Sequence, residues 1–394
     1  MRRTAIAEPR RFTTFKPSVV TNIVVLVVAT VYLAAVLTAD SEWALITLSA
    51  TGIVLVLLAI KIRVVSMLRE SYRQSEKVID LLSVAVVVAL AAYFYNDTFA
   101  LYLLTTVLVY IIACLGLNLQ FGYAGILNFS GAAMLGVGGY VAALLGNVAV
   151  MPRLLLLPIG GIAAAIVGSV LLPPMLRTRG HYSAVVTIAF NLLFVTFLDV
   201  FNGFGGPQGL SVHAMSLFGF SFNDDWQIGG LQISFYENYF ALAFITMIVV
   251  FVIVRRMERS WIGLSMDSVR LDETSSKCFG ISVVRWKTTA FVGGNFIIGI
   301  AGAFYASMVG YIAPANFTFG DSLVLVTIII LGGLGSNWGT ILTAAIVIIL
   351  PEKLQAIQEY RFLIYSIVVA GVLLFRPAGL LPRAPRIYFP GWRS

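Results

Sequence analysis

Long apolar runs separated by short polar joints make up most of this chain. The runs are Val19–Ala39, Ala44–Ile60, Leu81–Tyr95, Phe99–Leu119, Gly131–Leu145, Leu154–Leu172, Ser183–Phe201, Tyr239–Val254, Thr288–Met308, Leu323–Leu350 and Phe362–Phe375. A helix that crosses the hydrocarbon core of a bilayer needs about 20 mainly apolar residues. The pattern therefore predicts an all-α polytopic integral membrane helix bundle of about 10–12 spans. The count turns on whether Leu323–Leu350 is one bent element or two.

Composition agrees. Hydrophobic residues make up 59% of the 394 and charged residues 11%, with a mean hydropathy of +0.95. Soluble domains carry about 25% charge. Basic residues exceed acidic ones, 26 to 18, and their positions say why. With the helices threaded alternately from an inside N-terminus, segments 1–18, 61–80, 177–182, 255–287 and 376–394 fall inside. They hold 23 of the 26 Lys and Arg; Arg153, Lys353 and Arg361 fall outside. Cytoplasmic loops are the ones enriched in Lys and Arg, so the expected topology is N-in and C-in. The net charge of +8 then reflects topology and anionic lipid rather than nucleic acid. The first apolar run is long for a signal-peptide core and is read as a retained helix.

Three regions are expected. Residues 1–80 form a basic tail, a helical hairpin and a charged link, residues 81–382 the core, and residues 383–394 a cytoplasmic tail. The link "KIRVVSMLRESYRQSEKVID" reads equally as a surface helix or a solvated linker. The largest outside segment, Asn202–Asn238, holds Asp224, Asp225 and Glu237 but no Lys or Arg. It is either a docking loop or a structured cap. The largest inside segment contains a stretch, Leu264–Phe279, that sorts by face as one helix. Leu264, Leu271, Cys278 and Phe279 share one side; Arg270, Glu273 and Lys277 share the other. Glu273 before Lys277 is the favourable i,i+4 order, and Gly280 stands where a C-terminal helix glycine belongs. Such a helix can lie on the bilayer or dock into a partner's groove.

Much familiar chemistry is missing. There is no phosphate-binding G-x-x-x-x-G-K-[ST] loop, no nucleophile–base pair and no metal-ligand spacing. Cys114 and Cys278 are too far apart to pair, and His181 and His213 stand alone. The helix centres lack ionisable residues, which argues against a proton relay. What remains is glycine. "GLNLQFGYAGILNFSGAAMLGVGGY" (116–140) holds seven glycines and two asparagines, and "ILGGLGSNWGT" (330–340) interrupts another apolar run. Broken helices are tolerated in a membrane where the freed backbone is buried in protein or lines a cavity. Asn118, Gly122, Asn128, Ser130, Gly332, Gly333, Gly335, Ser336 and Asn337 are thus candidates for a translocation route. Close helix approach through small residues is the alternative.

Several stretches carry a family resemblance. "LGLNLQFGYAGILNFSGAAMLGVGGYVAALL", "RTRGHYSAVVTIAF", "GGPQGLS", "DETSSKCFGISVVRWK", "ILGGLGSNWGTILTAAIVIILPE" and "FRPAGLLP" occur in that order. Together they resemble permease subunits of bacterial branched-chain amino-acid ABC importers of the LivM type, over roughly residues 81–382. The resemblance implies an inner-membrane transport subunit rather than an enzyme. It implies a second permease of the LivH type, two ATPase subunits holding ATP-Mg, and an extracytoplasmic solute-binding protein. This chain would bind no cofactor. Residues 264–280 resemble the segment that couples to the ATPase, with Asp272, Glu273 and Gly280 matching its acidic pair and glycine. Thr274, Ser275 and Ser276 stand where the family usually has alanines. Related permeases carry urea, short amides or other small polar solutes. A stand-alone carrier or channel is the rival from another class.

Overall fold

The computed structural model describes residues 19–39, 41, 43–45, 47–48, 51–52, 76–148, 152–177, 182–217, 220–223, 226–228, 231–353, 360, 363, 366–367, 370–371, 374 and 378–383. Most of the expected helices Ala44–Ile60 and Phe362–Phe375, the link 61–75, and Asp224, Asp225 and His181 lie outside these residues. The chain divides into two compact units, residues 1–93 and 94–394. In the first, α1 (Val19–Thr38) packs on α2 (Glu76–Tyr93). The expected core boundary at residue 81 falls inside α2.

The second unit is a helix bundle. Its helices are α3 (Thr98–Asn118), α4 (Gly131–Val148), α5 (Leu156–Ser169), α6 (Leu172–Arg177), α7 (Tyr182–Val200), α8 (Phe235–Arg259), α9 (Trp261–Leu271), α10 (Glu273–Cys278), α11 (Val283–Val309), α12 (Phe319–Gly332) and α13 (Asn337–Lys353). The described apolar runs of this unit have become helices as expected, and Leu323–Leu350 has become two of them. Polar residues start the helices. Asp97 accepts the Phe99 and Ala100 N–H groups at the head of α3. Asp321 turns back to the Thr318 N–H and hydroxyl at the head of α12. These bonds satisfy amide groups that no helix can satisfy for itself.

Helix α3 is the axis of the bundle: 89% of its apolar window is buried, against 17% for α7. Against it lies α11, which also meets α4 and α5. The α11 contacts run through glycine. Gly294 meets the backbone of Gly116 on α3, where an added Cβ would stand 2.6 Å from the partner carbonyl. Gly299 meets Gly138 on α4 and Gly160 and Gly161 on α5, and Gly302 lies on the Leu135 carbonyl of α4. Lipid tails are as apolar as the side chains, so burial alone does not hold such helices together. Close van der Waals packing and interhelical hydrogen bonds do so.

Loops of this unit fall into two groups by what they touch. One group joins strands β1 (Leu210–Ser211) and β6 (Tyr311–Ile312), paired antiparallel. The short hairpins β2–β3 (Ser216–Leu217, Phe220–Ser221) and β4–β5 (Trp226–Ile228, Leu231–Ile233) lie in the same loop. Arg153 donates to the Ala214 carbonyl at 3.3 Å, and the Tyr239 hydroxyl donates to the Ser307 carbonyl at 3.1 Å. The described part of Asn202–Asn238 is thus a structured cap. The other group brings together residues 119–130, α6, α9, α10 and the α12–α13 turn. Nine of the eleven described Lys and Arg of this unit lie in that second group, on the adjoining ends of α8 and α11, or at residue 383; Arg153 and Lys353 do not.

Gly302→Val should overpack the α4–α11 crossing and cost about 1–3 kcal/mol, seen as a lower thermal unfolding midpoint in detergent. Gly293→Ala is the control. Its added methyl meets just one side chain, Leu119, at 3.5 Å, so the midpoint should hold or rise slightly.

Candidate functional site

The two glycine-rich breaks lie against one another. After α3 the chain makes a π-helical turn, Leu119–Tyr123, then runs non-helically to α4. Gly122 in that turn touches Gly335 in the α12–α13 turn, backbone to backbone. Gly333 and Gly335 have φ of +106° and +79°, a region that glycine adopts without the Cβ penalty. Asn118 ties the two breaks together. Its Oδ1 accepts the Gly335 N–H at 2.9 Å, and its Nδ2 donates to Asn337 Oδ1 at 3.4 Å. The Tyr123 hydroxyl donates to the same oxygen at 3.3 Å. Gly332 packs on Gly339.

Asn128 and Ser130 form a neighbouring cluster. Asn128 Oδ1 accepts the Ser130 N–H and hydroxyl at 2.9 and 2.6 Å. Its Nδ2 donates to Gln120 Oε1 at 2.6 Å. Gln120 Nε2 in turn donates to Asn295 Oδ1 at 2.9 Å and the Phe291 carbonyl at 3.2 Å. All these side chains are buried. The nine sequence candidates therefore sit in two adjoining polar clusters where breaks in α3–α4 and α12–α13 meet.

The sequence reading missed a third layer, made of charge. Arg383 follows the "FRPAGLLP" stretch, whose Leu380 and Leu381 N–H groups bond the Leu331 and Gly332 carbonyls at the end of α12. Its guanidinium reaches Asp267 on α9 at 2.6 Å and Glu258 on α8 at 3.3 Å. It also lies 4.4 Å from the centroid of the Tyr123 ring. Asp267 pairs with Arg270 at 3.7 Å, and Glu258 accepts from Asn337 Nδ2 at 3.5 Å. One chain of polar contacts thus runs from α9 through Arg383 and Glu258 to the glycine breaks. Residue 383, the first of the expected cytoplasmic tail, is the one that makes these contacts. The signal in the sequence was thin: an acidic residue, Glu258, inside the basic run "RRMER".

The expected single helix Leu264–Phe279 is two. Asp272 adopts an extended conformation (φ −157°, ψ 112°) and separates α9 from α10. Its carboxylate accepts the Thr274 and Ser275 N–H groups at 2.8 and 3.1 Å and the Ser275 hydroxyl at 2.9 Å. A side chain that can cap a new helix competes with continuing the old one. These bonds, those from Ser275 foremost, hold the Asp272 carboxyl below the usual carboxylate range. The cap is at full strength above the unfolded value and fades as pH falls through the lower folded one. Helix α10 ends as expected at Gly280, with φ +75°. The Gly280 N–H bonds the Lys277 carbonyl and the Ile281 N–H the Ser276 carbonyl, a Schellman stop.

Glu273 does not pair with Lys277. Its carboxylate meets Lys287 at the head of α11, beside a cavity of about 150 Å³ lined by Gly125, Ile126, Leu127, Met175, Ser183 and Phe291 among others. Arg270 packs over Gly125. Leu264, Leu271 and Phe279 stand exposed, at 42%, 78% and 84%. Exposure of three large apolar side chains on a charged end of the molecule is the kind of patch that marks an interaction surface.

A bundle of membrane-length apolar helices with broken helices at its heart defines a polytopic membrane protein. The family model for the permease component of branched-chain amino acid transport systems matches residues 99–376. The chain belongs to that family. It is 31% identical over 294 residues to the high-affinity branched-chain amino acid transport system permease protein LivM of Escherichia coli strain K12, covering 71% of this chain and 69% of that one. LivM of Salmonella typhimurium strain LT2 is 30% identical with the same coverage. The probable branched-chain amino acid transport permease protein LivM of Methanocaldococcus jannaschii is 23% identical over 334 residues, covering 72% of this chain and 93% of that one. No solved structure matches. The chain is accordingly a multi-pass transport subunit and not an enzyme.

Arg383→Ala leaves Glu258 and Asp267 facing one another with no guanidinium between them. Removing the shared cation from these mostly buried carboxylates, of which Asp267 keeps Arg270, should cost about 3 kcal/mol, read as a fall in the unfolding midpoint of the purified protein. Arg383→Lys should recover part of the loss, because an ammonium cannot fork between two carboxylates as a guanidinium does.

Proposed function

We propose that this chain is the LivM-type permease subunit of an ATP-driven importer in a bacterial inner membrane, passing branched-chain amino acids inward. The observation that carries the reading is the physical link between α9–α10 and the glycine breaks. Asp267 and Arg270 on α9 touch Arg383 and Gly125 respectively, and Glu273 on α10 touches Lys287 on α11. A push on Leu264, Leu271 and Phe279 from a neighbouring protein has a short rigid path to the helix breaks. The neighbour is an ATPase chain that holds ATP-Mg, two copies serving this permease and a second, LivH-type permease. Family membership implies ATPase and binding-protein partners in general.

The clustering of Lys and Arg beside α9–α10 supports a cytoplasmic location for that end, since positive charge is retained on the inside. The capped loop at 202–234 then lies outside, where a solute-binding protein would deliver its cargo. The route of the solute runs beside Asn118, Gly122, Asn128, Ser130 and the 332–337 turn.

Glu273→Lys sets a like charge against Lys287. Gly280→Pro forbids φ +75° and removes the N–H that stops α10. Each should cut ATP-driven leucine uptake at least tenfold in proteoliposomes holding the complete transporter, with membrane insertion unchanged. Normal uptake in both would remove the coupling role from residues 261–280.

A further inference from the structure

At the buried head of α4, backbone N–H groups point at oxygens borrowed from other helices. Phe129 N–H donates to Thr187 Oγ1 at 3.0 Å, Ala132 N–H to Ser322 Oγ at 2.9 Å, and Ala133 N–H to Asn191 Oδ1 at 3.0 Å. The Ser322 hydroxyl donates to the same Asn191 oxygen at 3.1 Å. Thr187, Asn191 and Ser322 are each 0% exposed. Helix N-termini carry partial positive charge and unpaired donors, and so favour anions. Side-chain caps alone would explain these contacts, but at this site one atom is left over. Asn191 spends its oxygen on the helix, and its Nδ2, fixed in the same small plane beside the helix mouth, has no partner. Buried amide donors are paired almost without exception. A donor held open next to a ring of further donors marks where an acceptor belongs.

We propose that the α4 N-terminus, with Thr187, Asn191 and Ser322, is the site that receives the carboxylate of the transported amino acid within this chain. The proposal rests on the reading of the chain as an amino-acid permease. The chemistry fits a carboxylate in three respects. The site offers one free amide N–H, and an acceptor that displaces the Asn191 oxygen would release the Ala133 N–H and the Ser322 hydroxyl to it, donors of the kind a carboxylate accepts, while the Thr187 hydroxyl stays on the Ala184 carbonyl at 2.8 Å. The helix supplies the positive potential without a fixed cation, so the anion is held in passing rather than trapped. Two of the neutral oxygens that an incoming carboxylate would displace, on Thr187 and Asn191, belong to α7, the least buried of the described membrane-length helices. Asn128 and Ser130, singled out by the sequence, adjoin this site by capping the same helix entrance.

The test uses the complete transporter without its binding protein, with tritiated L-leucine as the probe. Bound label should be displaced by leucine and by 4-methylpentanoate, which keeps the carboxylate and lacks the amine. Leucinamide, which keeps the amine and lacks the carboxylate, should compete at least tenfold less well. Asn191→Asp places a fixed carboxylate over the same donors, so label binding and leucine uptake should each fall at least tenfold at equal amounts of assembled complex. A purely structural cap predicts the opposite, since aspartate caps helices as well as asparagine. Equal competition by leucinamide, or Asn191→Asp binding and uptake within twofold of wild type, overturns the site. Should the aspartate variant not assemble, the competition series on the wild-type transporter decides alone. If wild-type proteoliposomes with ATP and the binding protein take up no leucine, it is the amino-acid reading itself that falls.

Discussion

A peptide group inside a lipid bilayer has no water to bond, and this requirement organises the second unit of the protein. A continuous helix satisfies its own amides; a broken one does not. The chain breaks helices twice within the bundle, after Asn118 and after Gly332, and at both places the protein supplies the missing partners. Asn118 serves Gly335, Asn128 serves Ser130, and Thr187, Asn191 and Ser322 serve the head of α4. The breaks could not be moved independently of these side chains, because each freed amide would then face hydrocarbon.

Glycine does a second job here. Helices that cannot rely on water to press them together must approach closely, and α11 achieves this by meeting α3, α4 and α5 with Gly294, Gly299 and Gly302. The same residue type therefore allows tight crossings in one place and positive φ in another. Gly333 and Gly335 need their backbone freedom; Gly116 and Gly138 need only the absence of a side chain.

Most of the described basic charge of this unit gathers at one end and is used sparingly. Arg383 joins the last described stretch of the chain to α8, α9 and the π-helical turn, and Glu273 joins α10 to the head of α11. Motion imposed on the exposed α9–α10 pair would reach the helix breaks through these few contacts. This is the arrangement expected of a subunit that is worked by a motor on a separate chain. It also explains why polar residues deep in the bundle are amides and hydroxyls: they hold backbone in place without the cost of burying charge.

The sequence by itself determined the class of fold. Length and polarity of the runs forecast most of the helices, basic residues forecast which loops would gather at one end, and Gly280 forecast where α10 stops, because each depends on neighbours in sequence or on solvent. It also located the glycine breaks. Tertiary structure decided the rest. Periodicity joined residues 264–279 into one helix, whereas Asp272 caps a second one; propensity could not weigh that local bond. The expected pair Glu273–Lys277 lost to Lys287, fourteen residues away along the chain. Arg383, Asn191, Ser322 and Gln120 gained their roles through partners on other helices. No local pattern encodes such partners, because they are chosen by how helices cross, and the crossings are set by where backbones can touch.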